Sequence, residues 1–327
     1  MIAQLPPFEQ WLRDILKIRS DETIHQIYCQ ADGVSVVTHN QIKKNSTIFQ
    51  IMGDQKDIRI NLLTVFYRSG CLNEVIKKYC NGYIIGESGT LYQCLDIESK
   101  LTLKKIDTVE HTQEKIVEIQ SGWNHFLILT NYGHVYSWGL NLFHACGHIP
   151  ESEKNENKTE NIININSPTP IPCFLSPLIK VAQISCGIWH SVCVTALGDI
   201  YVFGLNKDGQ LGLGKEIYHC TSPELLTCDF ECAQISCGGR HTCAVDKNGN
   251  VWGWGYNAQG QALPSDHIDK KAITCQDNTH IWVPAKWDNI KAEKIVCGHW
   301  GTSVICLNNT KEKVIISCGN ASNIKQN

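Results

Sequence analysis

The chain lacks several features that would point directly to a function. Its 327 residues contain no Cys-x-x-Cys pair, no run of 18 apolar residues, and no basic segment followed by an apolar one near the start. These absences argue against a common zinc-binding spacing, a membrane-spanning helix and a signal peptide. The net charge is only −3, which gives no electrostatic footprint for a phosphate backbone. We therefore expect no direct binding to nucleic acid and none to membranes.

Cysteine, by contrast, is abundant. The chain has 17 cysteines and 43% apolar residues, a composition that supports a sizeable core. An odd count in a long chain without a secretory signal predicts reduced thiols and not a disulfide framework. The cysteines and the missing signal favour a nuclear or cytosolic protein.

A short motif containing some of these cysteines returns along the chain. SCGIWHSVCV at Ser185–Val194 is matched by SCGGRHTCAV at Ser236–Val245 and, more loosely, by SGWNHFLILT at Ser121–Thr130. In each copy a second glycine follows the first after 17 residues, whereas successive copies begin 65 and then 51 residues apart. Fixed spacing within the unit and variable spacing between units is typical of a structural repeat. The repeat residues are Gly122, His125, Gly139, Gly187, His190, Gly204, Gly238, His241, Gly255 and, in a fourth copy, Gly298.

Between its two glycines each unit reads as a β-hairpin. Two alternating apolar runs flank a polar turn that ends in glycine, and the second run ends in an aromatic residue. The turn glycines are Gly133, Gly198 and Gly249, and the aromatic residues, which we expect in the core, are Trp138, Phe203 and Trp254. Weaker copies of the hairpin occur at 33–53 and 80–94. Short antiparallel strands in units that cannot stand alone predict an all-β fold, a β-propeller.

The motifs Gly-x-x-His-(Ser/Thr), Gly-(Asp/Asn)-(Ile/Val)-(Tyr/Trp)-x-x-Gly and Asn-x-x-Gly-Gln-Leu resemble the regulator of chromosome condensation repeat family over about residues 119–320. The resemblance implies a propeller of seven blades, with degenerate N-terminal blades here. The founding member is an exchange factor for a Ran-type GTPase. The chain looks most like a short animal member associated with a Jumonji-type histone demethylase and with chromatin. The resemblance thus implies a nuclear, chromosomal location, with the cytoplasm as a second compartment.

Two groups of residues invite a chemical interpretation. Cys186 with His190, and Cys237 with His241, resemble nucleophile and base pairs, but both occupy one repeat position. We expect instead that the glycine permits close packing and that the histidine hydrogen-bonds backbone between blades. HACGH at His144–His148 suggests metal binding, but His144 falls at the turn position that glycine holds in sister units. We therefore predict no catalytic residue, no metal site and no cofactor.

The family's exchange activity depends in part on an acidic residue just before a repeat histidine. The matching residues here are Asn124, Trp189 and Arg240, and none is acidic. This favours a non-enzymatic interaction scaffold that works with a Jumonji-type demethylase in chromatin regulation and chromosome segregation, with nucleotide exchange on a small GTPase as the alternative. The candidate partner-binding residues, which we expect to project from a loop at one rim, are Asn206, Lys207, Asp208 and Gln210.

The domain organisation follows from these patterns. Residues 1–18 place Phe8, Trp11, Leu12 and Ile15 on one apolar helical face, which predicts an amphipathic helix that docks on the propeller or on a partner. Residues 19–118 hold the degenerate blades and 119–327 the clear repeats. The polar stretch 148–170 is predicted to be a mobile insertion.

Overall fold

The computed structural model describes residues 23–30, 33–40, 45–52, 59–66, 76–97, 100–107, 114–149, 163–264, 279–307 and 313–319. These residues are mostly β-strand, and none of their helices has the length and apolar character needed to cross a membrane. The predicted helix at 1–18 lies outside the described residues. The chain divides into two compact units, Met1–Ile119 and Gln120–Asn327.

The first unit contains two sheets of four antiparallel strands, in which each strand pairs with the next along the chain. The first sheet consists of β1 (Thr23–Gln30), β2 (Gly33–Asn40), β3 (Asn45–Met52) and β4 (Arg59–Phe66). The second consists of β5 (Ile76–Cys80), β6 (Tyr83–Gly86), β7 (Leu91–Ile97) and β8 (Lys100–Ile106). Asn81 and Gly82, both with positive φ, form the two-residue turn between β5 and β6, as such hairpins require. The weaker hairpin copies in the sequence thus belong to complete four-stranded sheets.

The second unit contains the clear repeats, and the division between the units falls within β9. One sheet consists of β9 (Ile116–Ser121), β10 (His125–Thr130), β11 (Val135–Leu140) and β12 (Asn164–Pro170). The next consists of β13 (Val181–Cys186), β14 (His190–Thr195), β15 (Ile200–Leu205) and β16 (His219–Leu226). The last contains β17 (Cys232–Cys237), β18 (His241–Asp246), β19 (Asn250–Tyr256), β20 (His280–Cys297), β21 (Gly301–Leu307) and β22 (Lys313–Gly319). Short 3₁₀ helices occur at Leu142–His144 and Pro172–Leu175.

Strand β20 joins two groups of strands because it is 18 residues long. Its first part, from His280 to Lys291, pairs with β19, and its last part, from Ala292 to Cys297, pairs with β21. Asn289, near the changeover, has a φ of 60°, a left-handed conformation that asparagine tolerates better than most residues. One unbroken strand, β20, is therefore both the outer strand of the third repeat and the first strand of the fourth.

The core of the second unit is formed by the central strands of its sheets, whose side chains are buried on both faces of the sheet. Every residue of β14 and of β18 is buried, as expected for central strands without a solvent face. Phe203 and Trp254 are completely buried and Trp138 nearly so, which confirms their predicted place in the core. The turn glycines Gly133, Gly198 and Gly249 all have positive φ, as the hairpin prediction requires.

The prediction of a mobile insertion at 148–170 is wrong for its last part. Residues 164–170 form β12, which pairs with β11 from Tyr136↔Pro170 to Leu140↔Asn164. The polar composition of this segment did not indicate a strand, because an outer strand whose residues are exposed or half-buried can form with few apolar residues. Residues 150–162 lie outside the described part of the chain.

Candidate protein-interaction site

The Gly-x-x-His motif forms a tight turn between the first two strands of each repeat. The glycine N–H donates to the histidine carbonyl over 2.8 Å in all three copies, at Gly122, Gly187 and Gly238. The imidazole then lies directly over the glycine. A Cβ on Gly238 would stand 2.0 Å from Cε1 of His241, so only glycine leaves room for the ring. The spacing between this glycine and the histidine thus has a steric origin.

Each repeat histidine reaches into the next repeat along the chain. The Nε2–Oγ distances are 2.9 Å from His125 to Ser191, 3.0 Å from His190 to Thr242, and 2.8 Å from His241 to Thr302. Each hydroxyl also donates to a main-chain carbonyl, on Ala145, Gln210 and Gln261 respectively. The predicted direct bond from histidine to backbone is therefore wrong. A hydroxyl stands between them, because Ser or Thr follows the histidine position in each next repeat, at Ser191, Thr242 and Thr302.

Two of these imidazoles have lowered pKa values. Burial lowers the pKa of His125 to about 4 and, with smaller repulsions from neighbouring histidines, that of His190 to about 3. The Nδ1 atoms of His125 and His190 have no hydrogen-bond partner among the described residues. Burial also raises the pKa of the Cys237 thiol to about 12. A thiol that keeps its proton is a weak nucleophile.

The second glycine of each repeat lies opposite the histidine. Gly139, Gly204 and Gly255 pair with His125, His190 and His241, and their φ angles are 101° to 103°. A Cβ on Gly255 would stand 2.7 Å from the Arg240 carbonyl. The fourth repeat departs from this pattern. Gly298 keeps the turn bond, to Gly301, which occupies the histidine position.

Three of the four candidate partner-binding residues are buried. Asn206, Asp208 and Gln210 are at most 3% exposed, and only Lys207 faces solvent. The prediction that this set projects outward is therefore wrong. The Asn206 amide accepts from Leu211 N–H and donates to the carbonyls of Gly214 and Ile217. Its carboxamide spans a loop whose backbone groups would otherwise be buried without partners.

The same carboxamide loop occurs in the sister repeats. The Asn257 side chain accepts from Ala262 N–H, and the Asn141 side chain from Cys146 N–H, each five residues on. Asn141 also donates to the His148 carbonyl. HACGH is therefore part of an asparagine-held loop, and the ring of His148 contacts Ser137. His144 lies in the turn that the sequence predicts at HACGH, and the absence of a metal site there stays a prediction.

Asp208 holds the arginine that precedes the third repeat histidine. Arg240 Nε donates to one carboxylate oxygen over 2.7 Å and Nη2 to the other over 2.5 Å. The guanidinium also lies 4.7 Å from the centre of the Tyr256 ring. A two-point ion pair with a cation–π contact fixes the position of the side chain. The side chain of Arg240 is thus fixed by Asp208 and Tyr256.

Aromatic side chains cluster on the Gly-x-x-His turns, and the sequence reasoning missed them as a set. Trp123, Trp189, His299 and Trp300 occupy the two x positions of different turns; we call them the aromatic face. Ring centres are 6.4 Å apart for Trp123–Trp189 and Trp123–His299, and 4.6 Å for His299–Trp300. Trp123 is 53% and Trp300 40% exposed. The signal was available, because the two x positions can be read from the motif itself.

Main-chain hydrogen bonds bring these turns together. Trp123 N–H donates to Ile188, Ile188 N–H to Gly239, and Gly239 N–H to His299, over 3.3, 3.0 and 3.0 Å. One residue from each of the four turns therefore belongs to a single row of hydrogen-bonded residues. Turns separated by more than fifty residues of sequence form one continuous surface.

Comparison with family models identifies the repeat. Models described as the Regulator of chromosome condensation (RCC1) repeat match residues 132–194 and 198–245, and 116–147, 181–210 and 232–261. The matched residues include the Gly-x-x-His turns and their hairpins.

Full-length relatives share the repeat over part of their length. The human probable E3 ubiquitin-protein ligase HERC3 is 29% identical over 237 residues, covering 59% of this chain and 22% of the relative. The ultraviolet-B receptor UVR8 of Arabidopsis thaliana is 31% identical over 159 residues, covering 48% of this chain and 33% of the relative. The chain thus spans between about a fifth and a third of the length of these relatives.

Solved structures share the fold at low identity. Human WBSCR16 has a TM-score of 0.62 at 15% identity, covering 88% of this chain and 73% of that one. Prp20p from Saccharomyces cerevisiae, whose structure was described with its binding to Gsp1p and histones, has a TM-score of 0.63 at 16% identity, covering 96% and 70%. The fold is a β-propeller of this type, and the count of seven blades stays a prediction. Residues 116–261 carry repeats that match the models of the RCC1 repeat family.

Proposed function

We propose that the chain is a protein-interaction scaffold and that the aromatic face binds the partner. The observation that carries the proposal is the exposure of Trp123 and Trp300 on a surface whose aromatic residues come from three separate turns. Large aromatic side chains left in water on a monomer mark an interaction site. Tryptophan contributes more binding energy than other residues when it is enclosed in an interface.

The rigidity of the turns supports the same function. Each turn is closed by a backbone bond from glycine, and in three of them a histidine fastens the turn to the next repeat. A preformed surface loses little conformational entropy on binding, so more of the contact energy appears as affinity. The tryptophans are therefore held in place before a partner arrives.

The chemistry of the face favours an apolar partner surface. Arg240, the cation beside it, is already paired with the buried carboxylate of Asp208. An acidic partner would have to compete with that ion pair, whereas an apolar or aromatic side chain could pack on the indole rings without such a cost.

The identity of the partner is a finer proposal that rests on the sequence resemblance. That resemblance suggests a Jumonji-type histone demethylase on chromatin in the nucleus, in a role without catalysis by this chain. Nucleotide exchange on a Ran-type GTPase is the second candidate. The residues before the turn histidines, Asn124, Trp189 and Arg240, provide none of the carboxylates expected for exchange.

A binding experiment with two variants tests the proposal. Trp123→Ala/Trp300→Ala removes the exposed part of the face, and Leu178→Ala removes a side chain that is 89% exposed outside the turns. We expect the double variant to bind the purified demethylase, or the purified GTPase, at least about tenfold more weakly than the intact chain. The Leu178 variant should bind as the intact chain does.

The outcomes separate the candidates. Equal binding by the double variant and the control removes the aromatic face from the interaction. Acceleration of labelled GDP release from the GTPase by the intact chain favours exchange over a purely scaffolding role. Thermal melts of both variants must match that of the intact chain before affinities are compared.

A further inference from the structure

A cluster of buried side chains that could bind a metal lies inside the third and fourth repeats. His241 and Cys243 are on β18, and Cys297 ends β20. Their potential ligand atoms, one ring nitrogen and two sulfurs, all lie within 4.8 Å of one another, and all three residues are buried. Because His241 and Cys243 are two residues apart on a strand, their side chains leave the same face of the sheet.

The hydrogen bonds of His241 prepare it to bind a cation. Its Nε2 lies 2.8 Å from Thr302 Oγ1, and that hydroxyl donates its proton to the Gln261 carbonyl over 2.7 Å. The hydroxyl must therefore accept from Nε2–H, which leaves Nδ1 as the ring nitrogen that could bind a cation. A fixed acceptor for the second ring N–H is what orients metal-binding histidines in proteins.

A third thiol lies near this cluster. Cys318 on β22 is buried, and its sulfur lies 3.6 Å from the Thr302 carbonyl oxygen and 3.8 Å from that of Gln261. The sulfur of Cys243 lies 3.9 Å from the same Gln261 oxygen. Cys318 therefore lies beside the cluster of His241, Cys243 and Cys297 and could provide a fourth donor.

We propose that His241, Cys243 and Cys297 bind one Zn²⁺ ion, with Cys318 brought in from β22 as the fourth ligand of a tetrahedral structural site. Three thiolates and one imidazole are a common ligand set for structural zinc. With Zn–S bonds of about 2.3 Å, the ligand atoms need to be roughly 3.5 to 3.8 Å apart. The ligand atoms of His241, Cys243 and Cys297 already lie within 4.8 Å of one another.

The preceding repeat provides a natural comparison. There His190 has the same hydroxyl contact, to Thr242, and Cys237 occupies the position of Cys297. Val192, however, stands where Cys243 does, and Trp254 where Cys318 does. That site has an imidazole and a single thiol, too few donors for a closed site. The extra cysteines occur next to the repeat whose histidine is replaced by Gly301, so zinc would fasten the end of the series where the histidine contact is missing.

Metal analysis of the full chain tests the proposal. The chain is purified in a non-chelating reductant, loaded with Zn²⁺, dialysed and analysed by mass spectrometry of its metal content. We expect about one zinc per intact chain, the same for Cys237→Ser, and little for Cys297→Ser or for Cys243→Val, which copies the preceding repeat. Thr302→Val should weaken zinc affinity by about 10- to 100-fold while keeping the four ligands.

Cobalt provides a second measurement on the unaltered protein, in case a variant does not fold. Co²⁺ added to the intact chain should give the intense visible bands of a tetrahedral site and a thiolate charge-transfer band, and Zn²⁺ should abolish both. Absence of these bands in the folded, reduced chain overturns the proposal. So does zinc that remains bound to Cys243→Val, or a thiol count showing that Cys243 and Cys297 form a disulfide in its place.

Discussion

The imidazole of His190 stands over Gly187 and reaches the hydroxyl of Thr242 in the following repeat, 3.0 Å away. The motif that marks a repeat in the sequence is thus also the contact that fastens it to its neighbour. We expect His190→Ala to lower the free energy of unfolding by about 2–4 kcal/mol, because a buried hydrogen bond is lost and a cavity is left. Urea denaturation measures this. Lys207→Ala, at an exposed position, is the control, and an equal effect of both variants would contradict the role of the histidine.

Glycine at the first repeat position is required only where a histidine follows. A Cβ on Gly238 meets three atoms of the His241 ring within 2.7 Å, whereas one on Gly298 meets only a carbonyl oxygen at 3.8 Å. Gly238→Ala should therefore lower the free energy of unfolding by about 2 kcal/mol or more, and Gly298→Ala should have little effect. Thermal melts of the two variants make the comparison. Equal melting temperatures would show that the ring does not set the requirement.

The buried histidines should make the protein sensitive to acid. Burial places the pKa of His125 at about 4 and that of His190 at about 3, below the ordinary value of 6.5. The unfolded chain therefore binds protons that the folded one does not. The contribution of these groups to stability is complete above about pH 6.5 and declines as the pH falls toward the folded-state values. Urea midpoints between about pH 7 and pH 5 should decrease, and they should decrease less in His190→Gln. An unchanged slope in that variant would assign the acid sensitivity to other groups.

Asn206 should matter for stability and Lys207 should not, although they are neighbours in a polar loop. The Asn206 amide makes three hydrogen bonds to buried or partly buried backbone groups. Asn206→Ala should lower the free energy of unfolding by about 2–4 kcal/mol. Asn206→Asp should lower it by at least as much, because it places a buried carboxylate against the carbonyl oxygens of Gly214 and Ile217. Urea denaturation of both variants checks this order. A neutral Asn206→Ala would mean that water can replace the amide.

The repeats and their hairpins could be predicted from the sequence because the glycines are fixed by local geometry. Gly133, Gly198 and Gly249 occupy positions of positive φ, and such positions accept few other residues. The four-stranded sheets of the first unit were harder to predict from the sequence. Their repeats lack the Gly and His that make the other units recognisable, although the alternation of a hairpin remains.

The exposure of the loop residues could not be predicted in the same way. Asn206, Asp208 and Gln210 are polar, and polar residues in a loop are usually exposed. Here the loop turns its polar side chains inward, to satisfy its own backbone and to pair with Arg240. Only the recurrence of asparagine at 141, 206 and 257 indicated a structural role.

The aromatic face and the cysteine cluster depend on contacts over long sequence distances. Trp123 and His299 are adjacent only because successive turns are bonded in a row. Cys243 and Cys297 belong to different repeats, and their separation matches no short metal-binding spacing. A search for local motifs therefore finds neither, while the repeat register predicts both once the blades are placed side by side.

The contact between repeats has a direction. Each histidine donates to the Ser or Thr of the unit that follows it and never to its own, and Gly301 ends the series. A gene segment encoding a unit with both residues could be inserted between two others without further changes. Its histidine would donate to the hydroxyl of the unit that follows, and its own Ser or Thr would accept from the histidine of the unit before it. Growth and loss of units by duplication and deletion are thus permitted within the series, whereas the unit that begins with Gly298 is suited only to its end.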